Sequence, residues 1–303
     1  MLLKVIGNNF LILSVLVTLF LQNNNFQIEK FDSNELVYQD PTDFIIVAQD
    51  IRVKEYFQYL DSVVARFNEF HSYDLDEHLL VRHNPWIIDR LSNTDYYRMI
   101  DRDSFVYDQK EMLVLLKNDT IGIPDSIQVS NLKNVFKKTR IDINIPEYKL
   151  RIYEDSLMLY EFSVRVGRNE SRFLEMAGRI ADLRTKTGKG TIVKHVRDPD
   201  YYNPVNGHQY HLTKRDDNKT TKLPQIPFIE TEINELRNGQ LIHPTTNPVT
   251  LGKAYSNGCI GTKESDAWVI YYHASIGTEI NIRYDLNILD ADGNSMTLQD
   301  IYN

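Results

Sequence analysis

The sequence predicts an α+β fold: a mostly helical region over residues 25–137, then a β-rich domain over 138–286 with a single helix late in it, and a tail over 287–303. Three observations carry this. Apolar residues in the first region recur with helical spacing. Near Thr139 the pattern changes to short, partly alternating segments separated by turn residues. Downstream of that change, only Lys263 to Ala274 returns to helical spacing. A length of 303 residues accommodates two modest domains after a targeting segment.

The first segment reads as that targeting signal, over residues 1–24. Lys4 supplies a positive end, and Phe10 to Leu21 is apolar except for Ser14 and Thr18. This run is short for a membrane span of about 20 residues and fits a secretory signal better. Gln22-Asn23-Asn24-Asn25 lacks a small-x-small cleavage pattern, so a cleaved signal and a signal-anchor are both compatible, and either predicts export to the periplasm or cell envelope. No cysteine follows the run, which excludes a lipoprotein anchor.

Asp50 to Phe70 places Ile51, Val53, Tyr56, Phe57, Leu60, Val63, Val64 and Phe67 at roughly helical spacing. A second helix is expected from Asn84-Pro85 through Trp86, Ile87, Ile88 and Leu91, proline being tolerated at a helix start. A short strand over Met112 to Leu116 precedes the turn signals Asn118-Asp119 and Ile123-Pro124. His71, His78 and His83 are too irregularly spaced for a metal site and read as surface or core residues.

In the second region Arg140 to Ile145, Lys149 to Tyr153 and Leu157 to Val166 follow one another across Pro146-Glu147 and Glu154-Asp155, the pattern of a β-meander. Further strands are expected at Thr191 to Val196, Gln209 to Leu212, Gln240 to His243 and Thr278 to Tyr284. The helix from Lys263 has Thr262 as a candidate N-cap, with Glu264 and Asp266 in a first turn where carboxylates are favoured.

The net charge of −8 lies in the first region; residues 138–286 are close to neutral and slightly basic, with no footprint for nucleic acid. One cysteine in an exported chain cannot form an internal disulfide, so Cys259 is either inert and buried or reactive. A thiol nucleophile needs a thiolate, a base and donors for the oxyanion it creates. Cys259 stands just before the expected helix, where a thiol pKa is lowered. His243 ends an expected strand, and the fifteen residues between the two can bring them together. Gly258 lets a carbonyl approach the backbone, and the Gly258 and Cys259 amides are candidate oxyanion donors. From spacing alone two readings stay open: a Cys/His acyltransferase, and a core cysteine beside an unrelated histidine.

Residues 139–285 resemble the catalytic domain of the YkuD-type L,D-transpeptidases. The family's signature is a histidine, a spacer in the mid-teens, then Ser/Thr-His-Gly-Cys and an aliphatic residue. His243 and Ser256-Asn257-Gly258-Cys259-Ile260 are similar to it at the expected distance. Arg184 to Thr191 resembles the family's Lys-Thr-Pro-x-Gly segment, with Gly188 in place of the proline, and Ala267-Trp268 through Gly277-Thr278-Glu279-Ile280 resembles its final helix, turn and strand.

The resemblance implies a β-sandwich-like domain with a helix after the nucleophile, and a two-step acyl transfer between peptidoglycan stem peptides. Cys259 would form a thioester with release of D-alanine, and an amine of a second stem would resolve it into a 3→3 cross-link. His243 would serve as base and then acid, its ring oriented by the carbonyl of Pro244 or Thr245. The chemistry calls for no cofactor, and contact with a membrane would come only through an uncleaved N-terminal segment. Ser256, Asn257, His208 and His211 are expected along the substrate cleft. Asn257 replaces the motif histidine, and Gly261 replaces an arginine associated in the family with a substrate carboxylate; Lys263, Lys189 or Arg184 could compensate. Hydrolysis by the same thiol and a non-catalytic wall-binding role are the competing readings. A zinc site built on His208 and His211 with His243 or His195 is disfavoured, because residues three apart on a strand face opposite sides.

Overall fold

Local chemistry sets the helices of the first region. The run from Val53 turns Val53, Tyr56, Phe57, Tyr59, Leu60, Val63 and Phe67 inward and forms α1 (Val53–Phe70). It starts three residues later than expected because Ile51–Arg52 pairs antiparallel with Leu113–Leu115, the strand anticipated near Met112. Asp76 accepts the Leu79 amide at 2.8 Å and caps α2 (Glu77–His83). Pro85 precedes α3 (Trp86–Ser92), and Asp95 caps α4 (Tyr96–Ile100) through the Tyr97 and Arg98 amides. Asp125 and Gln128 form a reciprocal capping box at the start of α5 (Ser126–Lys138), which runs straight into the first strand of the sheet. The computed structural model describes residues 44–290 and 292–303; the apolar segment read as a targeting signal lies outside the described residues. Among the described residues, no helix is long and apolar enough to cross a membrane.

Eight strands form the principal sheet: β1 (Thr139–Asn144), β2 (Lys149–Glu154), β3 (Leu157–Ser163), β4 (Gly188–Val196), β5 (Phe228–Ile233), β6 (Leu241–Pro244), β7 (Ile260–Thr262) and β8 (Glu279–Arg283). Their order is β7-β6-β5-β4-β8-β1-β2-β3. The meander β1-β2-β3 closes one edge as expected, while β8 inserts between β1 and β4, parallel to β1 and antiparallel to β4. At the other edge β6 and β7 run parallel, which requires the chain between them to cross over. The α+β class is the one expected. Strands β5 and β7 were not anticipated: Thr231 takes a buried place in β5 and blurs the apolar alternation, and β7 is only three residues long. The strand expected over Gln209 to Leu212 forms instead at Leu212–Lys214, because Asn203 to His208 is drawn into a turn-bonded loop.

Helix α6 (Glu264–His273) follows β7 and is buried on almost every side. Its Trp268 packs edge-on to Tyr56 at 6.3 Å and lies 5.9 Å from Phe57, both on α1. Tyr56 and Tyr272 share a hydrogen bond of 2.7 Å, and Tyr272 donates to buried Glu77 at 2.6 Å. Burial, set against the Arg197 guanidinium at 2.7 Å, leaves the Glu77 carboxyl pushed up to about 7. At the N-terminus of α6 the Glu264 carboxylate pairs with Arg215 and accepts from the Tyr96 amide at 3.0 Å and Gln109 Nε2 at 2.8 Å. The helical region and the sheet thus share a core, within one compact unit. The helix that follows the cysteine is gripped from the N-terminal half.

Candidate active site

The parallel pairing of β6 with β7 creates the site. Ile242 lies opposite Ile260, His243 opposite Gly261, and Pro244 opposite Thr262. Ile242, Pro244, Ile260 and Thr262 are buried, so the alternate positions face away from the core together. Extending the register by one residue sets Cys259 against Leu241, on the same face as His243 and diagonal to it. On ideal strand spacings the two Cα atoms are about 8 Å apart, within reach of a cysteine and a histidine side chain. Both side chains are half-buried.

His243 Nδ1 lies 2.9 Å from the Pro244 carbonyl oxygen. A carbonyl only accepts, so Nδ1 carries the proton and Nε2 is left as the basic nitrogen. This resolves which of the two candidate carbonyls orients the ring. Phe228, a neighbour in the sheet, packs against the imidazole at 5.0 Å. Burial, with a smaller contribution from Arg165, pushes the His243 pKa down to about 4, against the opposing pull of the Pro244 carbonyl. Burial also raises the Cys259 thiol, opposed by the Leu241 backbone and by Arg165. The depressed thiol pKa expected from a helix N-terminus does not appear: β7 intervenes, and the helix begins only at Glu264. The resting pair is a neutral thiol and a neutral imidazole, with the thiol directed to the Gly239 carbonyl at 4.0 Å. A neutral imidazole with Nε2 free is chemically able to accept a proton.

The loop before Cys259 is held from within. Ser256, buried, donates to the Cys259 carbonyl at 2.5 Å and accepts from the Gly258 amide at 3.2 Å. Gly258 has φ of 109°, a conformation that side chains oppose, although a Cβ would meet nothing closer than 3.7 Å. Its carbonyl accepts from Thr185 Oγ1 at 3.0 Å, and Thr185 Oγ1 accepts from the Gly167 amide at 2.8 Å. Tyr302, from the tail, donates to the Gly167 carbonyl at 2.8 Å and accepts from the Thr185 amide at 3.0 Å. Of the two proposed oxyanion donors, the Gly258 amide is occupied by Ser256. Among the described residues the Cys259 amide has no acceptor.

The other sequence-derived positions are placed as follows. Asn257 is half-buried beside the cysteine, and its side chain makes no hydrogen bond among the described residues. Lys263 is exposed at the N-cap of α6, just beyond the strand that carries the site. Lys189 is remote: His243 shares a row with Phe228 and, through it, Val196, whereas Lys189 lies at the opposite end of β4, roughly 20 Å along the strand. Arg184 is exposed and paired with Asp182 at 2.9 Å. His208 and His211 are exposed on a segment that does approach the site, but Tyr201 and Tyr210 make the approach. Tyr201 stacks edge-on to Phe228 at 5.2 Å, and Tyr210 is a neighbour of Arg165. Arg165 itself, with Thr185 and Tyr302, was missed. For Thr185 a signal existed, since it sits in the segment resembling the family's Lys-Thr-Pro-x-Gly stretch; for Arg165 there was none.

Residues 138–282 match the family model YkuD, the L,D-transpeptidase catalytic domain. Similar solved structures include an L,D-transpeptidase from Mycobacterium smegmatis, 14% identical over 48% of this chain and 58% of that one, with a TM-score of 0.34. L,D-transpeptidase 3 from Mycobacterium tuberculosis, in complex with a faropenem-derived adduct, is 17% identical over 48% and 60%, with a TM-score of 0.33. The L,D-transpeptidase from Xylanimonas cellulosilytica is 10% identical over 81% of this chain and 100% of that one, with a TM-score of 0.36. This chain thus spans under two thirds of the length of the two mycobacterial proteins. No curated protein matches it in sequence.

Proposed function

We propose that this chain, whose residues 138–282 form a catalytic domain of the L,D-transpeptidase family, is a cysteine acyltransferase that cross-links peptidoglycan stem peptides. One observation carries the reading: the Pro244 carbonyl fixes the His243 tautomer so that its free nitrogen lies on the sheet face that also bears Cys259. His243 Nε2 removes the thiol proton as sulfur attacks the donor carbonyl, and the Cys259 amide receives the developing oxyanion. The carbon–nitrogen bond then breaks, the imidazolium returns its proton to the departing D-alanine amine, and a thioester remains. An acceptor amine gives a proton to His243, attacks the thioester and expels the thiolate, which regains that proton. The apolar N-terminal run supports action outside the cytoplasm, in the cell envelope.

Intact-mass spectrometry of the protein with a tetrapeptide-bearing muropeptide tests this, with Cys259→Ala as control. The expected result is an adduct on the unmodified protein alone, accompanied by free D-alanine. Absence of both at every substrate concentration would refute the acyltransferase reading.

A further inference from the structure

Arg165 and Gly261 face each other across an antiparallel bridge, each amide donating to the other's carbonyl at 2.9 Å. Gly261 is also the residue opposite His243 and two beyond Cys259. A Cβ built on Gly261 would lie 2.5 Å from Arg165 Nε, 2.6 Å from Cγ and 3.0 Å from Cδ, so the arginine stem occupies the volume that a side chain at 261 would need. The absent side chain makes a passage, and Arg165 runs through it to its electrostatic neighbours Cys259, Tyr210 and Tyr255.

This guanidinium differs from the other shielded arginines of the protein. Arg82 pairs with Glu154, Arg151 with Glu147 and Glu161, Arg215 with Glu264, and Arg283 with Asp142. Among the described residues Arg165 has no carboxylate within ion-pair distance. Its Nε is buried without a partner, and its one side-chain hydrogen bond among the described residues is long, 3.4 Å from Nη1 to Thr250 Oγ1. Arg168 adds positive potential there rather than neutralising it. Withdrawing a cation from water without a counter-charge is unfavourable, and a planar fork of unused donors suits a carboxylate.

We propose that Arg165 is a substrate-binding residue of this site, whose guanidinium, delivered across Gly261, takes a carboxylate of the acyl donor next to the scissile carbonyl. This rests on Cys259 as nucleophile, and it assigns to the donor a negative charge close to the bond that is broken. The tail-end carboxylate of the leaving residue and a carboxylate on the acyl residue share this chemistry; donors amidated at one or the other distinguish them.

The test uses thiol alkylation, which needs no peptidoglycan chemistry. Rates of Cys259 with iodoacetate and with neutral iodoacetamide are measured across pH in the full chain, in Arg165→Gln, and in Arg165→Ala combined with Gly261→Arg. The expected result is an iodoacetate-to-iodoacetamide ratio that falls roughly tenfold or more in Arg165→Gln, the loss expected for a charge-assisted hydrogen bond. The ratio should recover in the double variant, which restores a guanidinium from the facing strand and keeps the test valid should Arg165→Gln fold poorly. An unchanged ratio, including equal slowing of both reagents, would overturn the proposal and leave Arg165 acting on the thiolate or on packing alone. A lost ratio in a protein that forms no acyl-enzyme would keep the anion site and reject the acyltransferase reading instead.

Discussion

Replacing Arg215 with methionine should unfold the protein far more readily than its distance from the thiol would imply. Arg215 is fully buried; besides its pairing with Glu264 it donates to Gln109 Oε1 at 2.7 Å and Thr221 Oγ1 at 2.8 Å, and it lies 4.4 Å over the Tyr96 ring. The substitution leaves the Glu264 carboxylate, 1% exposed, with only the Tyr96 amide and Gln109 Nε2 as donors. Removing one partner of a buried pair costs about 3–5 kcal/mol. The two further acceptors left without Arg215 place the expected value near the top of that range. Burial already raises the Glu264 pKa, and loss of the cation raises it further. A carboxyl raised in the folded state takes up protons on folding, so its penalty grows as pH rises from the unfolded pKa to the folded one, is full above that, and vanishes below the unfolded value. Urea denaturation followed by Trp268 fluorescence should therefore show a large loss at pH 8 that shrinks steadily toward pH 4. Combining Arg215→Met with Glu264→Gln should recover much of the stability, since no uncompensated charge remains. A cost below about 1 kcal/mol at pH 8, or a cost independent of pH, would refute the argument that this pair clamps the helical region onto α6.

Three further outcomes follow from the site. Gly258→Ala has room for its methyl group but must hold a φ of 109°, a strain of about 1–3 kcal/mol; the fold should survive while Cys259 acylation, read by intact mass, drops sharply. Wild-type acylation rates in Gly258→Ala would show that the turn is not required. Thr185→Val strands the Gly258 carbonyl and the Gly167 amide, costing about 1–3 kcal/mol by thermal melting and slowing thiol alkylation; Tyr302→Phe should do the same more weakly, and no change in either would discount the tail's role. Because the His243 pKa is pushed down to about 4, its base form persists well below neutrality, and the acid limb of the acylation profile should fall near pH 4; a half-maximum near pH 6.5 would contradict the buried, neutral imidazole.

What could be read from the chain alone was what neighbours in sequence determine. Helical spacing exposed α1 and α3, and alternation exposed β1, β2 and β4. A glycine-containing turn, a strand end and a short spacer are local patterns that single out Cys259 and His243 as a candidate pair, but spacing alone left two readings open and the family resemblance chose between them. Binary patterning says which face a residue occupies but not which strand lies beside it. The insertion of β8 between β1 and β4, the register that sets Gly261 against His243, and the α1–α6 core were settled only when the sheet assembled. The same holds for charge. A missing side chain at Gly261 was visible, but the arginine that passes through its place comes from a segment almost a hundred residues earlier. The lysines considered as substitutes were nearer in sequence, and Lys189 stands at the opposite end of β4 from the row that holds His243. Backbone pairing across strands carries no trace in local composition, so tertiary structure alone decided which cation stands beside the thiol.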